Sequence, residues 1–180
     1  MPRPRQGASG KAAGRKPKAA LTPLQVGLKL VARRARTERE LDQALTRAKI
    51  EKEARVEVLA RLRELGYMDD REVARGRART LLSRGEAPRK ATRRLLNQGV
   101  AAEDARGAVD EAAEGASEAE LVARALEKRL RGRAPRDDRE RQRVFRALIA
   151  KGHRPAAVAQ ALKLQLEGED LSADDEAHEA

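Results

Sequence analysis

From Thr22 onward the chain repeats one motif of patterning. Short apolar stripes at a spacing of three and four residues alternate with capping residues, glycines and prolines. Thr22-Pro23 supplies an N-cap and a first-turn proline for a helix with Leu24, Leu28, Val31 and Ala35 on one face. Thr37 with Glu40 forms a capping box that opens a second helix through Leu41, Leu45 and Ala48. A third runs from about Glu51, aligns Ala54, Val58, Leu62 and Leu65, and stops at Gly66. Asp69, three residues before Glu72, starts a fourth that carries Val73, Ala74, Ala78, Leu81 and Leu82 as far as Gly85. Pro88 begins a fifth with Ala91 and Leu95, ended by Gly99. Val100 leads into a sixth with Ala105, Ala108, Val109 and Ala112, broken at Gly115. Ser117 and Glu120 cap a seventh through Leu121, Val122, Ala125 and Leu130. Gly132 and Pro135 separate it from an eighth with Val144, Leu148 and Ile149, which Gly152 ends. Pro155 starts a ninth with Val158, Leu162 and Leu166.

Nine helices in sequence invite a search for repetition. The stretches Leu45–Leu59, Leu95–Val109 and Leu148–Leu162 share an apolar residue, a break, a second marked position (Ile50, Val100, His153) and a closing pair. Their offsets are 50 and 53 residues, with Gly99 and Gly152 at the break and Lys49 in the first copy. The expected fold is therefore all-α. Three tandem three-helix repeats (22–68, 69–115 and 116–166) should form an elongated, curved body, because units of that size must share core with their neighbours. Residues 1–21 and 167–180 are expected to be disordered tails, since neither can bury an apolar face.

Composition sharpens this picture. Ala, Leu, Arg and Glu dominate, all strong helix formers, and Tyr67 and Phe145 are the only aromatics among 180 residues. The chain holds 40 Lys and Arg against 29 Asp and Glu, a net charge of +11. Residues 1–20 contribute six basic residues and no acid, whereas 167–180 contribute seven acids and no Lys or Arg. The body between the tails thus keeps a surplus of its own and should attract polyanions. Residues 70–98 hold nine basic and three acidic residues, 124–154 twelve and four, and 99–123 one and seven.

Catalysis finds no foothold. With no cysteine, thiol nucleophiles, thiolate metal sites and disulfides are excluded. His153 and His178 share no helix face, so they offer neither a metal pair nor a nucleophile with its base. No phosphate-cradling glycine loop is present. Asp69 and Asp70 read as a cap and a dipole complement before they read as metal ligands. No cofactor is expected. No apolar run reaches the length of a membrane span and no signal-like apolar region opens the chain, so the expected setting is cytoplasmic, with no membrane partner, and the chain is expected to be a monomer. The candidate contact residues are Arg75, Arg79, Arg89, Lys90, Arg93 and Arg94, then Arg129, Arg131, Arg133, Arg136, Arg139, Arg143 and Arg146. Guanidinium groups pair with phosphates bidentately. Without aromatic stacking platforms, contact with single- or double-stranded DNA should be electrostatic and independent of sequence. Many of these arginines could equally well pair with glutamates on their own helices.

Four segments in order resemble those of the RecX family, bacterial modulators of the RecA recombinase. Arg34 to Leu41, with Thr37 and Glu40, resembles R-x-x-[ST]-E-x-E-L. Gly66-Tyr67-Met68-Asp69-Asp70 followed by Val73-Ala74 resembles G-[YL]-[LI]-[DN]-D-x-x-[FY]-A. Gly85-Glu86-Ala87-Pro88 with Leu95 and Gly99-Val100 resembles G-x-G-P-x-x-I-x-x-x-L-x-x-x-G-[IV]. Leu148 to His153, with Gly152, resembles F-L-x-x-R-G-[FY]. The likeness covers about residues 24–165. Val73, Ala87, Ala91 and His153 depart from it, which thins the core without altering a site. The resemblance implies three three-helix repeats lying in the groove of the RecA–DNA filament, where such proteins typically inhibit ATP hydrolysis and strand exchange in DNA repair, recombination and the SOS response. It is silent on both tails. On this reading segments 70–98 and 124–154 carry most of the contact, with Arg89, Arg93 and Arg94 at its centre. The alternative is a helical protein acting on free DNA or RNA.

Overall fold

The computed structural model describes residues 21–164, and all regular structure among them is helical. The helices are α1 (Pro23–Arg33), α2 (Glu38–Arg47), α3 (Lys52–Glu64), α4 (Asp70–Ser83), α5 (Pro88–Asn97), α6 (Ala102–Ala113), α7 (Glu118–Leu130), α8 (Asp138–Ala150) and α9 (155–164). The tails and Leu166 lie outside the described residues. Capping boxes form at Thr22, Thr37 and Ser117, and Asp69 accepts the Glu72 amide at 2.9 Å. A further cap, which the apolar pattern does not announce, opens α8, where Asp137 accepts the Glu140 amide at 2.6 Å.

Buried residues fall into three clusters. Leu41, Leu45, Val58 and Leu62 form the first. Ala74, Ala78, Leu81, Ala91, Leu95, Val100, Ala105, Ala108 and Val109 form the second. Val122, Ala125, Leu126, Leu130, Val144, Leu148, Val158 and Leu162 form the third. Side-by-side packing links α1, α2 and α3 with one another, and α4, α5 and α6 likewise, while α7 packs on α8. We propose that these clusters are the cores of units bounded near residues 69 and 116. Three assignments at the ends of stripes need correction. Ala35 is exposed beyond the end of α1, Ala48 is exposed at the C-cap of α2, and Leu65, at the C-cap of α3, is 44% exposed. The closest approach of α1 to the core falls instead at Gly27, where an added Cβ would stand 2.7 Å from Val58 Cγ1. A glycine inside a helix gives no periodic signal, so the pattern could not reveal it.

The middle helices of the three groups meet end to end. The C-terminus of α5 reaches the N-terminus of α2, where the buried Thr37 hydroxyl donates to the Gln98 carbonyl at 2.6 Å. The C-terminus of α8 reaches the N-terminus of α5, where the Ala87 amide donates to the Lys151 carbonyl at 3.0 Å. Carbonyls left over at one helix end are thereby satisfied at the electropositive start of another. Each meeting has a glycine in the left-handed region just past the helix, Gly99 (φ 92°) and Gly152 (φ 97°). Conformation alone does not require glycine, because Lys49 adopts φ 60° at the equivalent place and is exposed there. Space does: a Cβ on Gly99 would lie 2.5 Å from Arg39 Cβ, and one on Gly152 would lie 2.8 Å from Lys90 Cβ.

Gly99→Ala and Gly152→Ala should each cost about 2–5 kcal/mol, combining left-handed strain with steric overlap. Gly66→Ala and Gly115→Ala, where an added Cβ meets nothing within 4 Å, should cost about 1–2 kcal/mol. Chemical denaturation of the four variants compares them, and equal losses would show that the junctions impose no special demand.

Candidate nucleic-acid interface

Before any cation can be assigned to a partner, the cations used inside the molecule must be separated from the rest. At the first junction Arg77, in the middle of α4, does most of the internal work. Its guanidinium grips Glu40 through both oxygens at 3.2 and 2.6 Å and donates to the Gln98 side-chain oxygen at 2.7 Å and to the Ala35 carbonyl at 3.3 Å. Asp70 adds a second tie, accepting the Glu38 amide at 2.9 Å. Burial pushes the Glu40 carboxyl up, but the Arg77 hydrogen bonds and charge outweigh it and hold the group below its ordinary value of 4.5. Asp70 moves the other way: burial raises it, and Glu38 nearby adds to the rise while its amide opposes it.

The second junction spends lysines. Lys128 donates to the Ser83 carbonyl at 2.8 Å, Lys151 to the Arg84 carbonyl, and Lys90 to the Ala150 carbonyl at 2.6 Å. Arg89 donates to the carbonyls of Gly152 and His153. These carbonyls lie at or just past the C-termini of α4 and α8, where positive charge is favoured. His153 is wholly buried; its Nε2 lies 3.0 Å from the Gly85 carbonyl, and its Nδ1 has no partner among the described residues. Burial pushes the Lys151 ammonium below its ordinary value, and neighbouring Arg129 and Lys128 push it further. An anion arriving there would relieve that crowding.

This allocation divides the thirteen candidates. Arg89 and Lys90 fasten the second junction, and Arg94 pairs with Glu86. Arg75 bridges Glu72 and Glu111, and Arg79 reaches Glu72 at 3.5 Å. Arg133 grips Glu140 through both oxygens at 2.9 and 2.7 Å. That grip, with the Arg136 amide, holds the Glu140 carboxyl down at about 2. Arg146 donates to the Gln142 carbonyl of its own helix. Arg93, Arg129, Arg131, Arg136, Arg139 and Arg143 are exposed, and their guanidinium groups make neither hydrogen bond nor ion pair with another described residue. Arg84 and Arg124, which nothing in the sequence pattern singles out, share that condition. Five of the six remaining candidates therefore lie between 129 and 143, at the end of α7 and on the first half of α8. Arg89 and Arg94 are poor test positions, because reversing Arg89 would disturb packing between the second and third cores and reversing Arg94 would break its pair with Glu86.

The other sequence landmarks are structural. Leu41 and Ala74 are fully buried, and Tyr67 is 57% exposed. Pro88 is the first residue of α5, and Arg34 approaches Glu40 no closer than 3.9 Å. Asp69 and Asp70 are occupied with helix starts, and no group of three potential ligands able to hold a metal ion occurs among the described residues. No described helix is long and apolar enough to cross a membrane.

The described body is thus all-helical, with lysines and arginines engaged at its junctions and further arginines exposed. The chain is 30% identical over 151 residues to "Regulatory protein RecX" from Chlorobaculum tepidum, an alignment that covers 84% of this chain and 92% of that one. It belongs to the RecX family of regulatory proteins. Two crystal structures share the fold. RecX from Lactobacillus salivarius aligns with a TM-score of 0.55 at 19% identity over 79% of this chain and 95% of its own. Another, of a regulatory protein RecX, aligns with a TM-score of 0.56 at 24% identity over 78% and 70%. No protein-family model matches the chain.

Glu40→Gln should cost about 1–3 kcal/mol at neutral pH by leaving Arg77 without its charged partner. Because the folded-state value lies below the ordinary 4.5, that contribution is complete above the ordinary value and fades as pH falls through the folded one. The stability gap between wild type and variant should therefore close in acid, as denaturation at stepped pH would show; a gap independent of pH would contradict the assignment.

Proposed function

We propose that the chain regulates the RecA recombinase by lying along the groove of the RecA–DNA filament, and that the usual outcome is suppression of ATP hydrolysis and strand exchange. The observation that carries this reading is the set of exposed arginines Arg129, Arg131, Arg136, Arg139 and Arg143, which make no ion pair among the described residues, in a member of the RecX family. Exposed guanidinium groups not engaged in the helix packing can pair with a phosphate or a carboxylate without disturbing the fold. Groups joined end to end also present a succession of surfaces, which suits a polymeric partner. Nothing in the residue set calls for a catalytic step, so regulation proceeds by differential binding to filament states. Cytoplasmic location and a monomeric state complete the proposal.

The test is RecA-catalysed ATP hydrolysis on single-stranded DNA, titrated with this protein at two salt concentrations. Arg129→Glu, Arg139→Glu and Arg143→Glu combined should weaken the effect at least about tenfold while leaving helicity unchanged. The slope of log affinity against log salt should fall by about one for each phosphate that no longer meets an arginine. Arg71→Glu, which removes an arginine already paired with Asp104, serves as the control. Equal affinity for bare DNA and for the filament would favour a free nucleic-acid binder instead, and unchanged suppression by the triple variant would reject the assigned face.

A further inference from the structure

Two apolar grooves flank α9. One, of about 540 Å³, lies between α8 and α9, with Phe145, Ala159 and Leu162 as its floor and Arg141, Arg146 and Lys163 among its polar walls. The other, of about 830 Å³, lies between α7 and α9 and includes Glu120 and Glu127 with Arg124. The charged residues lining the first are therefore all cations, Arg141 being paired with Asp138 at 2.6 Å, and those lining the second are of both signs. Arg139 and Arg143, exposed and unpaired among the described residues, stand on the same helix as the first groove's Arg146.

Residues 165–180 continue the chain from the end of α9. They contain seven carboxylates, no Lys or Arg, and two leucines, Leu166 and Leu171. We propose that this acidic segment folds back into the α8–α9 groove, seating a leucine on the Phe145–Leu162 floor and setting its carboxylates against Arg139, Arg143 and Arg146. Three features of the chain converge on it. The signs are complementary for this groove and mixed for its neighbour. The reach is ample, since Leu171 lies seven residues beyond Leu164 and an extended chain covers about 3.3 Å per residue. Tethering also raises the segment's local concentration to about the millimolar range, so weak contacts suffice.

A regulatory consequence rests on the polyanion-binding function proposed for these arginines. The segment covers groups that would otherwise meet phosphate, so it competes with nucleic acid as an internal mimic of its charge.

Because the chain has no cysteine, an introduced pair gives an unambiguous readout of docking that is independent of any partner. Gln142→Cys with Ala173→Cys should form a disulfide at least about tenfold faster than Ala123→Cys with Ala173→Cys, the latter placing its thiol in the other groove. That excess should vanish in about 1 M salt, and also when the seven carboxylates are changed to their amides, which leaves the tether unchanged. Equal rates in the two grooves, or an excess that survives neutralisation, would overturn the docking. For the consequence, the neutralised full-length chain should bind a short single-stranded oligodeoxythymidylate at least about threefold more tightly than wild type. If docking is seen and that affinity does not change, the competition is overturned while the docking stands. If the neutralised chain fails to bind the oligonucleotide at all, the polyanion-binding function itself falls.

Discussion

The meeting of helix ends governs this molecule. A helix terminus carries unsatisfied carbonyls and a partial negative charge, so burying one against another element is costly unless donors come to it. Here α5 and α8 place their C-termini on the starts of α2 and α5, where an amide, a hydroxyl, an arginine and lysines supply donors. The approach is close enough that Gly99 and Gly152 leave no room for a Cβ. Three small cores, poor in aromatics, are joined this way into one body. Side-by-side packing does little of that joining, because the extensive helix packing lies within each group.

That constraint also sets the electrostatics. A chain with so large a basic surplus has arginines and lysines to spare, and the junctions draw on them first. Arg77 is surrounded by Glu40, Gln98 and Ala35, and Lys90, Lys128 and Lys151 end on backbone carbonyls. What remains outward lies mainly at the two ends of the body: Lys29, Arg33, Arg39, Lys49 and Lys52 in the first group and Arg124, Arg129, Arg131, Arg136, Arg139 and Arg143 in the third are exposed, and their side chains make no hydrogen bond or ion pair among the described residues.

The same logic explains a departure from the family pattern. His153 stands where RecX sequences usually carry an aromatic, and the fold buries it completely, one ring nitrogen held by the Gly85 carbonyl. A planar ring fills the place of another planar ring, and the carbonyl from the neighbouring core absorbs one of its polar atoms. Ala87, in place of a second glycine, is buried at the same junction and donates its amide to the Lys151 carbonyl.

Helix positions, most caps and the break at nearly every group of residues were legible in the sequence, because these depend on neighbours three or four positions away. The apolar stripes at Leu41, Leu45, Leu95 and Leu148 mark cores for the same reason, and the ordered motifs pointed to the family. Legibility ended where the partner is distant. Thr37 and Gln98 are 61 residues apart and Lys151 and Arg84 67 apart, so no local period announces either pair. Among arginines that look alike along the chain, only the packing of helix ends decided which are engaged in holding the body together and which are exposed without a partner among the described residues.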